Sequence, residues 1–130
     1  MSQGMTTEQP EALVQRFLIL MQERDLPAAQ ALLAPGFVMC FPGGATMHRL
    51  EDLVQWARQR YQRAAKTYER TDSCTTDGRT VVYWMGTLQG VWLDGTPFEG
   101  IRFIDRFELA EGRIQRQDVW NDMAEAHTRV

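Results

Sequence analysis

The spacing of the apolar residues changes once along this chain, near Thr67. Before that point, three segments carry apolar residues at helical spacing: one beginning near Glu8, a short one over residues 26–33, and one over residues 49–63. After it, apolar and polar residues alternate, which is typical of strands with one buried face. Helices followed by consecutive antiparallel strands predict an α+β domain, in which the helices pack on one face of the sheet.

Turn sequences divide the second half of the chain into four predicted strands, over residues 67–76, 80–93, 98–109 and 113–120. The strongest turn signal is Asp94-Gly95, a pair that favours the tight turn of a hairpin. Gly86 and Gly90 lie inside one strand, where glycine often marks a bulge or a bend. A further, early strand is predicted over residues 37–41, before a Pro-Gly-Gly turn.

Length and composition fit one globular domain. The 130 residues are 44% hydrophobic and 24% charged, which is enough apolar material for a packed core and too much for a disordered chain. There is no linker and no internal repeat. We therefore predict a single domain over residues 8–122, a flexible N-terminus over residues 1–7 and a polar C-terminal tail over residues 123–130.

Charge and cysteine content disfavour several classes of function. The formal net charge of −3 offers no basic surface for phosphates, so we expect no nucleic-acid partner. Cys40 and Cys74 belong to no Cys/His cluster, so we expect no metal site. The start of the chain lacks a signal-peptide pattern and no stretch is long enough to span a membrane. We therefore predict a cytoplasmic protein without a membrane partner.

Three segments of the chain resemble the nuclear-transport-factor-2-like (NTF2-like) superfamily. They are EALVQRFLILMQERDLPAAQALLAPGFV in the first two helices and first strand, GIRFIDRFELAEGRI in the central hairpin, and QDVWND in the last strand. The superfamily includes ketosteroid isomerase, scytalone dehydratase, limonene epoxide hydrolase and the SnoaL-like polyketide cyclases. The order and spacing of the segments indicate the fold more strongly than any activity, because this fold hosts many functions.

The resemblance implies a cone, in which three N-terminal helices pack on a strongly curved, mostly antiparallel sheet and enclose one deep apolar pocket. A small apolar molecule is the expected ligand of such a pocket. The resemblance also implies a homodimer that forms through the outer face of the sheet. The acid/base chemistry of these enzymes generally needs no cofactor, and the chain has no phosphate-cradling or dinucleotide-binding glycine motif, so we expect no cofactor.

An aspartate interrupts the apolar face of one predicted strand, FIDRFEL. Alternation places Asp105 on the same face as Phe103 and Phe107. Burial there would raise the pKa of the carboxyl group, and a neutral acid can donate a hydrogen bond to a ligand carbonyl or act as a general acid. The alternative is a structural role, in which Asp105 pairs with an arginine or a backbone group.

The comparison with ketosteroid isomerase concerns three pocket groups: a phenol, a carboxylate base and a protonated carboxyl group. The resemblance implies that Asp105 matches the protonated group, that Phe17 occupies the position of the phenol, and that Phe41 occupies the position of the base. Only one of the three groups is present. We therefore expect that the chain is not a competent ketosteroid isomerase.

Other polar residues are further candidates for the site. The resemblance implies an acid/base residue on the last strand or at its end, where Asp118 and Asp122 both qualify, and a bulge would exchange their faces. The alternative for Asp118 is an ordinary surface ladder with Arg116 and Arg106. His48 lies in the loop before the third helix, where its imidazole is either a general base near the pocket mouth or an exposed side chain.

Aromatic and methionine side chains are the candidates for the pocket lining. Their alternative role, which is the commoner one, is to fill the core. The predicted substrate-binding residues are Phe17, Met21, Met39, Phe41, Trp84, Phe103, Phe107 and Trp120.

Two functions follow from these expectations. The first is a cofactor-independent enzyme that isomerises, cyclises, dehydrates or hydrolyses an apolar carbonyl-bearing substrate, with Asp105 as acid or hydrogen-bond donor and Asp118 and His48 as further catalytic candidates. The second is a non-catalytic ligand-binding or dimeric interaction module, which the phenylalanines at positions 17 and 41 favour. Turnover of a bound ligand would separate the two.

Overall fold

The computed structural model describes residues 8–128, which contain one six-stranded sheet and four helices. The predicted flexible N-terminus, residues 1–7, lies outside the described residues, as do the last two residues of the predicted tail. None of the helices in the described range is long and apolar enough to cross a bilayer. The elements in chain order are α1 (Pro10–Gln22), α2 (Leu26–Gln30), β1 (Leu33–Phe41), β2 (Ala45–Met47), α3 (Leu50–Arg58), β3 (Tyr61–Thr76), β4 (Arg79–Trp92), β5 (Pro97–Ala110), β6 (Arg113–Asn121) and α4 (Met123–Thr128).

The strands follow the order β2-β1-β6-β5-β4-β3 across the sheet. β1 and β6 are parallel, and every other neighbouring pair is antiparallel. β3, β4 and β5 are the longest strands, with 16, 14 and 14 residues, and the sheet is curved. The predicted α+β class is confirmed, and so is the predicted NTF2-like cone with helices packed on a curved, mostly antiparallel sheet.

Helix α1 packs across β3 and β4 through apolar contacts and hydrogen bonds. The Nε1 of Trp84 donates a hydrogen bond of 3.0 Å to the carbonyl oxygen of Glu11. At the other end of the helix, the side-chain oxygen of Gln22 accepts a hydrogen bond of 3.3 Å from the backbone N–H of Lys66. The buried stripe of α1 has helical spacing and consists of Leu13, Val14, Phe17, Leu18 and Met21.

Two irregularities of strand pairing coincide with the glycines inside β4, as the sequence predicts. The register with β3 shifts between Tyr68 and Arg70, where Gly86 is the partner of Tyr68. The register with β5 shifts between Leu88 and Gly90. Each extra residue increases the local bend and twist, so the two bulges contribute to the curvature that the cone needs.

The change from helix to strand comes earlier than the sequence predicts. α3 ends at Arg58, so the prediction of a helix over residues 49–63 is wrong in its last turn. β3 begins at Tyr61 instead of near Thr67, and its first residues pair with the end of β4. Apolar residues continue at helical spacing as far as Tyr61, but pairing with β4 outweighs that local preference.

The second helix is also shorter than predicted. α2 ends at Gln30 and β1 begins at Leu33, so the prediction of a helix over residues 26–33 is wrong at its C-terminal end. Gly36 has a φ of 81° and lies where the register between β1 and β6 shifts. The Pro-Gly pair therefore makes an irregularity within the strand, because glycine tolerates positive φ, and does not separate a helix from a strand.

The sequence does not predict the two short elements β2 and α4. β2 follows the turn after β1 and pairs with β1 in antiparallel fashion. α4 buries Met123, and the ring of His127 lies 4.6 Å from that of Trp92. Part of the predicted polar tail therefore packs against the end of the sheet.

Buried side chains form two apolar clusters on the inner face of the sheet. The larger cluster lies under α1, where the ring of Phe17 packs edge-on against Phe37 at 6.2 Å and Phe107 at 5.9 Å. The smaller cluster lies toward α4 and includes Phe103 and Met123.

Candidate functional site

A cavity of about 90 Å³ lies between the two apolar clusters. Its walls come from α1, from α3 and from the inner face of the sheet. It is smaller than the roughly 300 Å³ at the lower end of ordinary ligand sites, so it encloses a small molecule or one end of a larger one. Its aromatic lining consists of Phe17, Phe41, Trp56, Tyr61 and Phe103.

Asp105 lies in the wall of this cavity with its side chain fully buried, at 0% exposure. β5 holds it on the inner face together with Phe103 and Phe107, as alternation predicts. Neither of its carboxyl oxygens has a hydrogen-bond partner among the described residues. Burial raises the pKa of the Asp105 carboxyl group, and the positive charge of Lys66 opposes part of that rise. The group therefore keeps its proton to a higher pH than an exposed aspartate does.

Lys66 is the cation next to this carboxyl group. Its Nζ lies 3.4 Å from Oδ2 of Asp105 and 5.2 Å from the centre of the Phe103 ring. The first contact has the length of an ion pair but not the geometry of a hydrogen bond. The Lys66 side chain is 23% exposed, so it runs from the solvent to the buried carboxyl group.

The mouth of the cavity lies at the C-terminal end of α1. Gln22 and Arg24 line the cavity and are exposed. Arg24 has a positive φ of 62°, and its Nη1 donates a hydrogen bond of 2.5 Å to the carbonyl oxygen of Met21. Lys66, whose backbone N–H is hydrogen-bonded to the Gln22 side chain, lines the same cavity, so two cationic side chains lie near the mouth.

Tyr68 brings a phenol toward Asp105 from β3. Its hydroxyl group is buried and has no hydrogen-bond partner in the described part of the chain. Its ring packs edge-on against Trp84 at 5.4 Å and Phe103 at 6.2 Å. Burial raises the pKa of Tyr68, and Asp105 raises it further once it is ionised, at the high pH where a phenol titrates. The phenol therefore stays protonated, so its hydroxyl group can donate one hydrogen bond and also accept one.

Gln117 is a second fully buried polar side chain of the cavity wall, at 2% exposure. It lies on β6, between Phe107 of β5 and Met39 of β1. Its Oε1 has no hydrogen-bond partner within residues 8–127. Buried polar groups without partners are uncommon, and a few such groups in an apolar cavity are typical of a ligand site.

The structure brings four of the predicted substrate-binding residues to the cavity, namely Phe17, Met21, Phe41 and Phe103. Three others fill the core. Met39 and Phe107 are fully buried in the larger cluster, and Trp84 packs against both clusters. These three support the cavity wall without lining it, which is the alternative role considered for them.

Trp120, another predicted substrate-binding residue, does not line the cavity. It lies on the outer face of the sheet, where it is the cross-strand partner of Ile104 and is 55% exposed. Asp105 is paired with Val119, so the next residue of β6 has to point away from the cavity. Trp120 is therefore available to a partner molecule and not to a ligand of the cavity.

The structure does not bring the other predicted catalytic residues to Asp105. Asp118 lies on the outer face, where it accepts hydrogen bonds of 2.8 and 2.9 Å from Arg116 and is 3.6 Å from Arg106. Asp122, its alternative, pairs with an exposed arginine of β5 at 2.6 Å. His48 is exposed in the loop between β2 and α3 and does not line the cavity. The surface ladder considered for Asp118 is the arrangement that forms.

Three polar residues at or near the cavity were not predicted from the sequence, namely Lys66, Tyr68 and Gln117. Lys66 falls between a helix predicted to end at residue 63 and a strand predicted to begin near Thr67. If that strand is extended backward, alternation places Lys66 on the same face as Ala64 and Tyr68. Gln117 carried no comparable signal, because a single glutamine in a strand is usually exposed. No group of three or more metal-binding side chains comes together in the described part of the chain.

Several solved structures share this fold. An NTF2-like protein of unknown function from Burkholderia pseudomallei matches with a TM-score of 0.70 at 20% identity, covering 90% of this chain and 93% of that one. TerC, crystallised with polyporic acid, matches with a TM-score of 0.70 at 16% identity, covering 90% and 94%. An NTF2-like protein from Burkholderia thailandensis matches with a TM-score of 0.71 at 15% identity, covering 93% and 96%. At these identities the matches show the fold alone.

Sequence comparison with family models is more specific. No curated protein matches the chain. The family model of the SnoaL-like domain matches residues 14–117, which run from α1 into β6 and include Lys66, Tyr68, Asp105 and Gln117. The predicted NTF2-like and SnoaL-like resemblance is confirmed. The chain belongs to the SnoaL-like domain family.

Proposed function

We propose that this protein is a cofactor-independent enzyme that acts on a small, mostly apolar molecule bearing a carbonyl group. The reaction classes are isomerisation, cyclisation, dehydration and hydrolysis. The observation that carries the proposal is the carboxyl group of Asp105, which is fully buried in the cavity wall without a hydrogen-bond partner among the described residues. A perturbed carboxyl group in a cavity is a common feature of acid/base sites.

The proposed chemistry is stabilisation of charge on the substrate oxygen. Asp105 donates a hydrogen bond to the carbonyl oxygen, and the nearby ammonium group of Lys66 stabilises the negative charge that develops there. If the proton itself is transferred, the substrate oxygen becomes a neutral hydroxyl and Lys66 stabilises the Asp105 carboxylate that is left. Phe17 and Phe41, which line the same cavity, offer neither a phenol nor a carboxylate. For that reason the proposal does not include ketosteroid isomerisation.

A small organic ligand is consistent with the size and lining of the cavity. TerC, one of the structurally similar proteins, was crystallised with polyporic acid. That ligand belongs to TerC, and at 16% identity it supports only the idea that this fold accommodates such molecules. The alternative for this chain is a module that binds a ligand without converting it.

Replacing Asp105 by asparagine is expected to lower turnover at least about a hundredfold, because the amide keeps the shape of the side chain but cannot transfer a proton. The assay screens aromatic ketones, β-keto esters and lactones against the purified protein, with products detected by mass spectrometry. Asp118→Asn is the matched control, since Asp118 lies outside the cavity and is expected to leave turnover unchanged. Equal turnover in Asp105→Asn and wild type would remove Asp105 from the chemistry, and binding without product in the wild type would favour the non-catalytic module.

We also propose a homodimer that forms through the outer face of the sheet. Ile104 and Trp120 are cross-strand partners on that face, and they are 41% and 55% exposed. Adjacent exposed side chains of this size often mark a protein interface.

A reducing, cytoplasmic location remains part of the proposal, and the free cysteines Cys40 and Cys74 are compatible with it.

Trp120→Glu is expected to weaken the dimer at least about tenfold, because it places a charge on the exposed apolar pair of the proposed interface. Analytical ultracentrifugation over a range of concentrations measures the dissociation constant, and circular dichroism checks that the fold is kept. Leu93→Glu is a suitable control, because Leu93 is 52% exposed but lies just beyond the end of β4. A wild-type protein that sediments as a monomer would contradict the proposal.

A further inference from the structure

We propose that the cavity binds a flat, apolar molecule through an ionised oxygen atom, a carboxylate or an enolate, which the ammonium group of Lys66 holds beside Asp105. This inference rests on the proposed function because it concerns the same cavity. It adds the charge of the substrate, which neither the fold nor the family match assigns.

The charges of the lining residues favour a negatively charged ligand. Lys66 and Arg24 line the cavity, and among the described lining residues Asp105 is their acidic counterpart. Burial disfavours the ionised form of that carboxyl group. The chain as a whole has a net charge of −3, so the excess of positive charge is a local property of this site. A ligand that brings a negative charge would balance it.

The ammonium group of Lys66 can donate hydrogen bonds that its contact with Asp105 does not use. An ammonium group has three donors, yet the contact of Nζ with Asp105 at 3.4 Å lacks hydrogen-bond geometry. Water reaches part of the Lys66 side chain, which is 23% exposed, but a charge that lines an apolar cavity is stabilised further by an anionic hydrogen-bond acceptor. An ionised ligand oxygen pairs with the charge of Lys66 and accepts a hydrogen bond from it. Asp105 then donates a second hydrogen bond to the same oxygen.

The lining and the size of the cavity favour a flat molecule of limited size. Phe17, Phe41, Trp56 and Phe103 offer aromatic surfaces, which favour a flat apolar body. A volume of about 90 Å³ limits that body to roughly one ring, and a larger molecule has to extend past Arg24 at the mouth. The ligand is therefore expected to combine a buried ring with an ionised oxygen next to Lys66.

The test compares two pairs of small probes on the intact wild-type protein by isothermal titration calorimetry. Benzoate is compared with benzamide, and 4-nitrophenolate with nitrobenzene, so that each pair differs mainly in the charged oxygen. We expect the anion of at least one pair to bind about tenfold or more tightly than its neutral partner. Preference for benzoate identifies a carboxylate site, and preference for 4-nitrophenolate identifies an enolate-type site. Neutral probes that bind as well as both anions overturn the inference.

Variants then assign the preference to Lys66. Lys66→Met keeps most of the length of the side chain and is expected to remove the preference for the anion, and Lys66→Arg is expected to restore part of it. Arg58→Met is the matched control, because Arg58 is exposed on α3 and does not line the cavity. A preference that persists in Lys66→Met, or that disappears in Arg58→Met, contradicts the assignment. The wild-type comparison decides the inference even where Lys66→Met does not fold.

The outcomes separate this inference from the proposed function. Benzoate and nitrophenolate are measured by binding and are not turned over. If Asp105→Asn leaves turnover unchanged while the anion preference persists, the cavity is an anion site and the catalytic proposal fails. If turnover depends on Asp105 but no anion is preferred, the catalytic proposal stands and the substrate is neutral.

Discussion

Gly86→Ala is expected to destabilise the fold by about 3 kcal/mol or more, because the new methyl group has no space. A Cβ atom at this position would lie 1.9 Å from the carbonyl oxygen of Thr67 and 3.1 Å from the ring of Phe103. The first neighbour is backbone of β3 and cannot turn away as a side chain can. β3 would have to move, and Lys66 and Tyr68 would move with it. Urea denaturation followed by circular dichroism measures the loss, and the cavity probes measure the change at the site.

Gly78→Ala separates steric conflict from backbone strain. Gly78 has a φ of 75°, and a Cβ atom added there would have no neighbour within 4 Å. The cost of alanine at this position is therefore backbone strain alone. That strain is expected to cost only about 1–2 kcal/mol. If the two variants lose the same stability, close approach of β3 to β4 is not what requires glycine at position 86.

The elements with a clear period were predictable from the sequence, and so was the central residue of the site. Alternation in FIDRFEL places Asp105 on the buried face, and the structure has it there, fully buried. Strands β4, β5 and β6 are predicted to within a residue at either end, since each is bounded by a turn signal. Regular periods and strong turns are local properties, so a single chain carries enough information to read them.

What the sequence did not predict depends on contacts between distant segments. β3 extends back to Tyr61 because β4 pairs with it, and only that pairing turns Lys66 toward Asp105. The comparison with ketosteroid isomerase assigned the position of the phenol to Phe17 on α1, whereas the structure has a buried phenol on β3, at Tyr68. Asp118 and Trp120 face outward because Val119 takes the position opposite Asp105, a choice of register that alternation alone leaves open.

Asp105→Asn is expected to raise the free energy of unfolding at neutral pH, even though it is expected to impair function. The folded protein raises the pKa of Asp105 above its unfolded value, chiefly through burial. A raised pKa stabilises the fold fully at pH values below the unfolded pKa, and the contribution is lost as pH rises through the folded pKa. Asparagine does not titrate, so the variant gains on the wild type as pH increases, by about 1.4 kcal/mol for each unit of raised pKa. Chemical denaturation from about pH 4 to about pH 8 measures the difference.

The sign of that difference reports which form of Asp105 the fold favours. Lys66 loses a partner in the variant, but its side chain is 23% exposed and can be hydrated, so this loss is expected to offset only part of the gain. Asp118→Asn serves as control, because it removes hydrogen bonds from Arg116 on the outer face and is expected to cost about 1 kcal/mol or less. If Asp105→Asn instead destabilises the protein increasingly toward high pH, Lys66 stabilises an ionised Asp105 in the folded state. The carboxyl group would then be a structural ion-pair partner, and a ligand would have to displace it to reach Lys66.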